Sequence, residues 1–137
     1  MTEPAVYAQG FADATFIDEV HRSFATLWAS AAHVGEEDRM LFELAVSEIA
    51  SNVVMHAQGR DPIEVSLSLR VDDVALEAVF TDSADPALID LAEVQMPGSD
   101  AESGRGLALA LSVLDELVHE PGPGNVWRLR RSLHPVG

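Results

Sequence analysis

Ile63, Val65, Leu67 and Leu69 alternate without a break with Glu64, Ser66, Ser68 and Arg70. A side-chain period of two belongs to a strand with one face in a core and the other in water. Asp72-Asp73 makes a turn, and Val74, Leu76, Ala78 and Phe80 alternate again with Val79 on the opposite face, which predicts a hairpin. A sheet with one dry face needs something to lie on it, and the rest of the chain has to supply that cover.

Two helices are available before the hairpin. Phe16, Val20, Phe24, Leu27 and Ala31 recur at helical spacing, with Asp13 or Thr15 as N-cap, and predict a helix from Ala14 to Ala32. Gly35 breaks it, and Glu36 to Asp38 supply the acidic start of a second helix to about Ala57. Its apolar stripe reads as Leu41, Leu44, Ala45, Ile49 and Val53. Val6 to Phe11 is a candidate first strand, and Gln58 to Pro62 a loop. After the hairpin, Thr81 to Ser103 reads as a long lid-like loop, with a short helix near Ala87 to Ala92. A third helix follows from Leu107 to Val118, then a turn at Pro121 to Asn125 and a last strand from Val126 to Leu133. Helices and strands that do not alternate predict an α+β two-layer sandwich: a mixed, largely antiparallel sheet with helices on one face, in a single domain over residues 1–137. A chain of this size buries roughly 68% of its unfolded surface, enough to fold without a staple.

Composition removes several functions. Acidic residues outnumber basic ones 23 to 8, a field that repels nucleic acid and anionic membranes. With no cysteine there is no disulfide, thiolate metal site or cysteine nucleophile. Every basic residue is arginine, which excludes the P-loop, the ordinary protein-kinase fold and Schiff-base chemistry, all of which require a lysine. The N-terminal residues lack the charge and apolar run of a signal peptide, and no apolar stretch is long enough for a membrane helix, so the expected compartment is the cytoplasm.

Three places carry candidate chemistry. Glu48, Asn52 and His56 are spaced four apart on the second helix and share one face, bordering the apolar stripe. A carboxylate there can take a proton, and a carboxamide oxygen can hold a hard cation such as Mg²⁺. Taken alone, the row reads first as an ordinary polar helix edge with a Glu-to-Asn contact. Asp82 ends the hairpin, where its carboxylate can accept from an amino group or simply close a turn. Gly104, Arg105 and Gly106 precede an apolar helix, so their amides and the arginine form a small positive spot in an acidic chain, suited to phosphates or chosen for packing. His21, His33, His119 and His134 show no metal-ligand spacing, and Tyr7, Trp28 and Trp127 read as packing residues.

In order, "ELAVSEIASNVVMHA", "FTDSADP" and "SGRGLALA" resemble the asparagine box and the two glycine boxes of the GHKL ATPases and kinases. With the closing "GNVWRLRR" strand and the short length, the chain resembles the anti-sigma-factor serine kinase branch over nearly its whole extent. The resemblance implies the Bergerat-type ATP-binding fold, ATP and Mg²⁺ as cofactors, and serine/threonine protein kinase activity toward an anti-sigma-factor antagonist. It implies Glu48 as general base, Asn52 as the Mg²⁺ ligand, Asp82 as the reader of the adenine amino group, and Gly104 and Gly106 against the phosphates with Arg105 as charge partner. It further implies a homodimer that grips a sigma factor and its antagonist. The alternative is a module of the same fold that binds these partners without phosphoryl transfer. Two departures stand out. Ala84 replaces a glycine of the first box, which costs roughly 1–2 kcal/mol if that backbone needs positive φ. Val126 and Trp127 stand where relatives often place a threonine near the adenine.

Overall fold

The alternating segments form the predicted hairpin, β2 (Glu64–Val71) and β3 (Ala75–Asp82), in a computed structural model that describes residues 5–56, 62–84 and 102–133; of residues 56 and 102–105 it describes the backbone alone. Asp72 closes the turn: its Oδ1 accepts from the Val74 and Ala75 amides at 2.7 and 2.8 Å. β1 (Ala5–Phe11) pairs with β2, as Ala8 opposite Leu67 illustrates. On the other side β3 pairs with β5 (Gly124–Ser132), which pairs in turn with β4 (Glu116–Gly122). The order β1-β2-β3-β5-β4 is antiparallel at every step, which agrees with the largely antiparallel sheet expected and leaves no parallel pair among the described strands.

Leu67, Leu69, Leu76, Ala78, Phe80, Trp127 and Leu129 turn to one face and are buried there. Three helices cover that face: α1 (Ala14–Ala29), α2 (Glu36–His56) and α3 (Glu102–Val113). Of the two candidate N-caps, Asp13 is the one used; its Oδ1 accepts from the Thr15 and Phe16 amides. α1 ends at Ala29, three residues early, and Arg39 binds the chain beyond it, donating to the Ala31 and Val34 carbonyls at 3.0 and 2.9 Å. Phe16 meets Phe80 edge-on, and Phe24 meets Phe42 the same way. All four rings are fully buried, each contributing roughly 1.5–3 kcal/mol by removal from water.

Three expectations change. The buried stripe of α2 is Phe42, Ala45, Val46, Ile49, Ala50 and Val53, while Leu44 faces solvent and Leu41 is half-buried. The third helix begins at Glu102, so Gly104, Arg105 and Gly106 lie inside its first turns and not in a turn before it. It also ends at Val113, and the segment expected to continue it is the strand β4. Asp115 starts that ladder by donating its amide to the Arg130 carbonyl at 2.9 Å. β4 is an edge strand, which is why Pro121, with no amide proton to donate, is tolerated in it. The Gln58 to Asp61 loop, the short helix near Ala87 to Ala92 and most of the lid fall outside the described residues.

One buried ion pair joins the layers. Arg131 on β5 donates to Oδ1 of Asp38, in the first turn of α2, at 2.9 Å, and its Nη1 donates to the Val113 carbonyl at the end of α3 at 2.6 Å. Both side chains are less than a tenth exposed. A charge out of water needs this much compensation, and here the compensation ties two helix ends to the sheet.

Candidate functional site

The two helices that Arg131 ties at one point, the start of α2 and the end of α3, meet again where Glu48, midway along α2, reaches the first turns of α3. Glu48 and Asn52 are one turn apart on α2, and the carboxylate of Glu48 fills the space beside Gly106 in α3. A Cβ built on Gly106 would overlap Oε2 of Glu48 and stand 3.3 Å from its Cδ. The glycine is therefore the condition for Glu48 to rest against the N-terminal turns of α3, whose partial positive charge favours a carboxylate or another anion.

Asn52 is 4% exposed, and neither its Nδ2 nor its Oδ1 has a hydrogen-bond partner among the described residues. Leaving a buried carboxamide unsatisfied costs roughly 1–3 kcal/mol for a group that water would otherwise solvate. Native chains rarely keep such groups, and those they keep commonly await a ligand, ion or water. The donor chemistry fits the group that the resemblance implies: a neutral oxygen for a hard divalent cation beside a carboxylate. Among the described residues, no cluster of three or more histidine, aspartate or glutamate side chains could hold a metal ion by itself, so the phosphates and water would complete its shell.

Asp82 closes β3 and is buried. Its Oδ1 accepts from Nδ2 of Asn125 and from the amide of Ala84, each at 3.0 Å. The Asn125 Oδ1 in turn faces Nε2 of His119 at 2.8 Å, which requires the imidazole to donate there. His119 lies against the Trp127 ring at 4.3 Å between centroids. A polar row thus crosses three strands, from β4 through β5 to β3, at the end of the sheet. Asn125 and His119 were not singled out by the sequence reading, which looked instead at Val126 and Trp127. Asn125 is the residue paired with Asp82 in the β3–β5 register. Its local signal was the preceding Gly124, whose φ of +100° suits only glycine and whose Cβ would strike the Asp82 carbonyl. That close approach sets Asn125 beside Asp82.

Ala84 is not strained. No non-glycine residue among the described ones has positive φ, so the alanine at the glycine position carries no backbone penalty in this conformation. Gly104 and Arg105 are placed by the backbone of α3 next to Gly106, while the side chains of Arg105 and His56 lie outside the described part. A cleft of about 550 Å³ opens beside Asp82, lined by Gln9, Phe11, Ser66, Thr81 and Pro123 among others. Glu48, Asn52 and Gly106 do not line it; they belong to α2 and α3, on the helical side of the sheet.

Residues 12–131 match the histidine kinase-like ATPase domain family. The chain belongs to that family. Its α+β architecture is likewise that of the histidine kinase domain from the Erythrobacter litoralis blue-light activated histidine kinase, with a TM-score of 0.58 at 18% identity. The alignment covers 85% of this chain and 60% of that one, and at this identity the likeness is one of fold. No curated protein matches the chain. Within the histidine kinase-like ATPases, part of the GHKL superfamily, Glu48 and Asn52 stand in the segment that resembles the asparagine box, and Asp82 and Gly106 in those that resemble the two glycine boxes. No helix among the described residues is long and apolar enough to cross a membrane.

Proposed function

We propose that the chain binds ATP with Mg²⁺ and acts as a serine/threonine protein kinase of the anti-sigma-factor type. The observation that carries this reading is Asn52, a buried carboxamide with no hydrogen-bond partner among the described residues, one turn from a carboxylate seated at a glycine in the first turns of a helix. In this reading Asn52 holds Mg²⁺, which neutralises the phosphates when bound. Gly104 and Gly106, in the first turns of α3, lie against the phosphates with Arg105 as charge partner, and Asp82 accepts from the adenine amino group. Glu48 takes the proton from a serine or threonine hydroxyl of an antagonist protein. The partners are that antagonist and a sigma factor, met by a homodimer in the cytoplasm; the net charge of −15 disfavours direct contact with nucleic acid.

A second reading has one observation in its favour. Oδ1 of Asp82 already accepts two hydrogen bonds from within the chain. A partner-binding module of the same fold, holding a sigma factor or antagonist without transferring phosphate, would keep that arrangement permanently. Calorimetric titration of ATP with and without Mg²⁺ separates the two. Micromolar binding that depends on Mg²⁺ and disappears in Asn52→Ala supports the kinase and warrants an assay of phosphate transfer to a candidate antagonist. An absence of heat at millimolar ATP, with no thermal shift, leaves the module.

A further inference from the structure

α2 is apolar on two sides. Phe42, Ala45, Val46, Ile49, Ala50 and Val53 face the core, yet Met40 is 63% exposed, Met55 47% and Leu44 36% on the opposite side. Met40, Leu44, Ser47, Ser51 and Met55 fall on one outward stripe by the 3.6-residue repeat. A helix that is apolar all round is ordinarily covered all round. From Met40 to Met55 the stripe runs about 22 Å, at about 1.5 Å per residue. Its first half borders a hollow of about 600 Å³ whose wall includes Trp28. Trp28 is fixed there: it stacks on Phe24 at 5.5 Å, donates its indole N–H to Glu43, and lies 5.3 Å beneath the Arg39 guanidinium.

The charge around this apolar floor has one sign. Glu36 and Glu43 line the hollow, exposed Glu37 lies beside them on α2, and Glu48 stands on the flank of the same stripe. The one cation lining the hollow, Arg39, is turned inward to the Ala31 and Val34 carbonyls and the Trp28 ring. Methionine side chains, unbranched and polarizable, adapt to a partner's shape without a fixed fit. A stripe of this length, apolar at Met40, Leu44 and Met55 and acidic along its flanks, is the complement of a helix with apolar residues on one face and arginine or lysine beside them.

We propose that the outer face of α2, from Met40 to Met55, docks a basic amphipathic helix of a partner protein. The stripe passes beside Glu48, so a partner held on it brings its own neighbouring hydroxyl-bearing segment to that carboxylate. In this last respect the inference rests on the proposed kinase reading and names the chemistry of the partner. The docking itself needs no nucleotide.

The test uses the whole chain with its methionine methyls ¹³C-labelled, free of ATP. The probe is an 18-residue synthetic helix with leucines on one face and arginines on the other; the control keeps the arginines and replaces the leucines with serine. Saturable shifts of the Met40 and Met55 methyls with the first peptide alone, weakened at least tenfold by Leu44→Ser, support the proposal. Leu44 is at the surface, so that variant should melt with the wild type, and a thermal scan verifies it. Equal shifts with both peptides would reduce the effect to charge attraction and overturn the proposal, as would unmoved methyls or unchanged affinity in Leu44→Ser. Shifts that grow with protein concentration before peptide is added would assign the stripe to a second copy of the chain, and would overturn it too. Failure of ATP to bind would sink the kinase reading and leave this result untouched.

Discussion

The carboxylate of Glu48 occupies the space that any side chain at Gly106 would need. The two residues come from different helices and from motifs more than fifty positions apart, and the contact exists only because one of them has no Cβ. Gly106→Ala is therefore expected to push the Glu48 carboxylate aside while leaving the core intact. In an assay of phosphate transfer the rate should fall about 10²- to 10⁴-fold, as for Glu48→Gln. Affinity for ATP-Mg²⁺ should change by less than about tenfold in both variants. An unchanged rate in Gly106→Ala would separate the contact from the chemistry.

Asn52 should trade stability against ligand. Replacing this carboxamide, which has no hydrogen-bond partner among the described residues, with a similarly sized apolar group in Asn52→Leu is expected to stabilise the free protein by about 1–3 kcal/mol in urea unfolding. The same variant should lose the thermal shift that ATP-Mg²⁺ gives the wild type. A destabilised Asn52→Leu would mean that the amide is satisfied in solution.

Gly124→Ala combines a positive φ with an approach to the Asp82 carbonyl that leaves no room for a methyl group. It should destabilise by at least about 1–2 kcal/mol. Asn125→Ala should instead leave the fold standing and weaken nucleotide affinity, since Asp82 loses the amide that orients it. Circular dichroism melts and calorimetry on the two variants distinguish these outcomes.

Asp38→Ala leaves Arg131 buried without its counter-charge. The expected cost is about 3–5 kcal/mol, whereas replacing both partners with apolar residues should cost far less. A double-mutant cycle in urea gives the coupling directly.

Acid should weaken the fold in part through Asp72 and Asp115. The Val74 amide, then that of Ala75, holds Asp72 below the ordinary carboxylate range, helped by Arg130 and Arg70. The Ser132 amide does the same for Asp115, aided by its hydroxyl, Arg131 and Arg130. A carboxylate more acidic when folded than unfolded adds stability above its unfolded value, and that stability is lost as pH falls through the folded value. The melting temperature should thus hold near neutrality and decline below about pH 4, the ordinary aspartate range. Asp72→Asn should be less stable than wild type at pH 7, with the gap closing in acid.

The hairpin was legible because its alternation is strict and both strands keep one dry face. Glu48 and Asn52 were legible as a row because a four-residue spacing needs no tertiary knowledge. The stripe of α2 was misread at Leu41 and Leu44: an apolar residue at Leu44 gives no sign of which side the core is on when Met40 and Met55 repeat the pattern outward. β4 was hidden for a related reason. Leu114, Leu117 and Val118 follow α3 at a spacing that also suits a helix, and the strand becomes one only by pairing with β5. Asn125 could not be found locally, because its partner Asp82 is opposite it only once β3 and β5 are in register.

Arg131 grips the start of α2 and the end of α3 together, while Glu48, midway along α2, meets Gly106 in the first turns of α3. The pair is built like a tuning fork held by its stem. A molecule seated between the two helices on the Glu48 side would load the junction at Asp38 and Val113, and through Arg131 the strand that carries it.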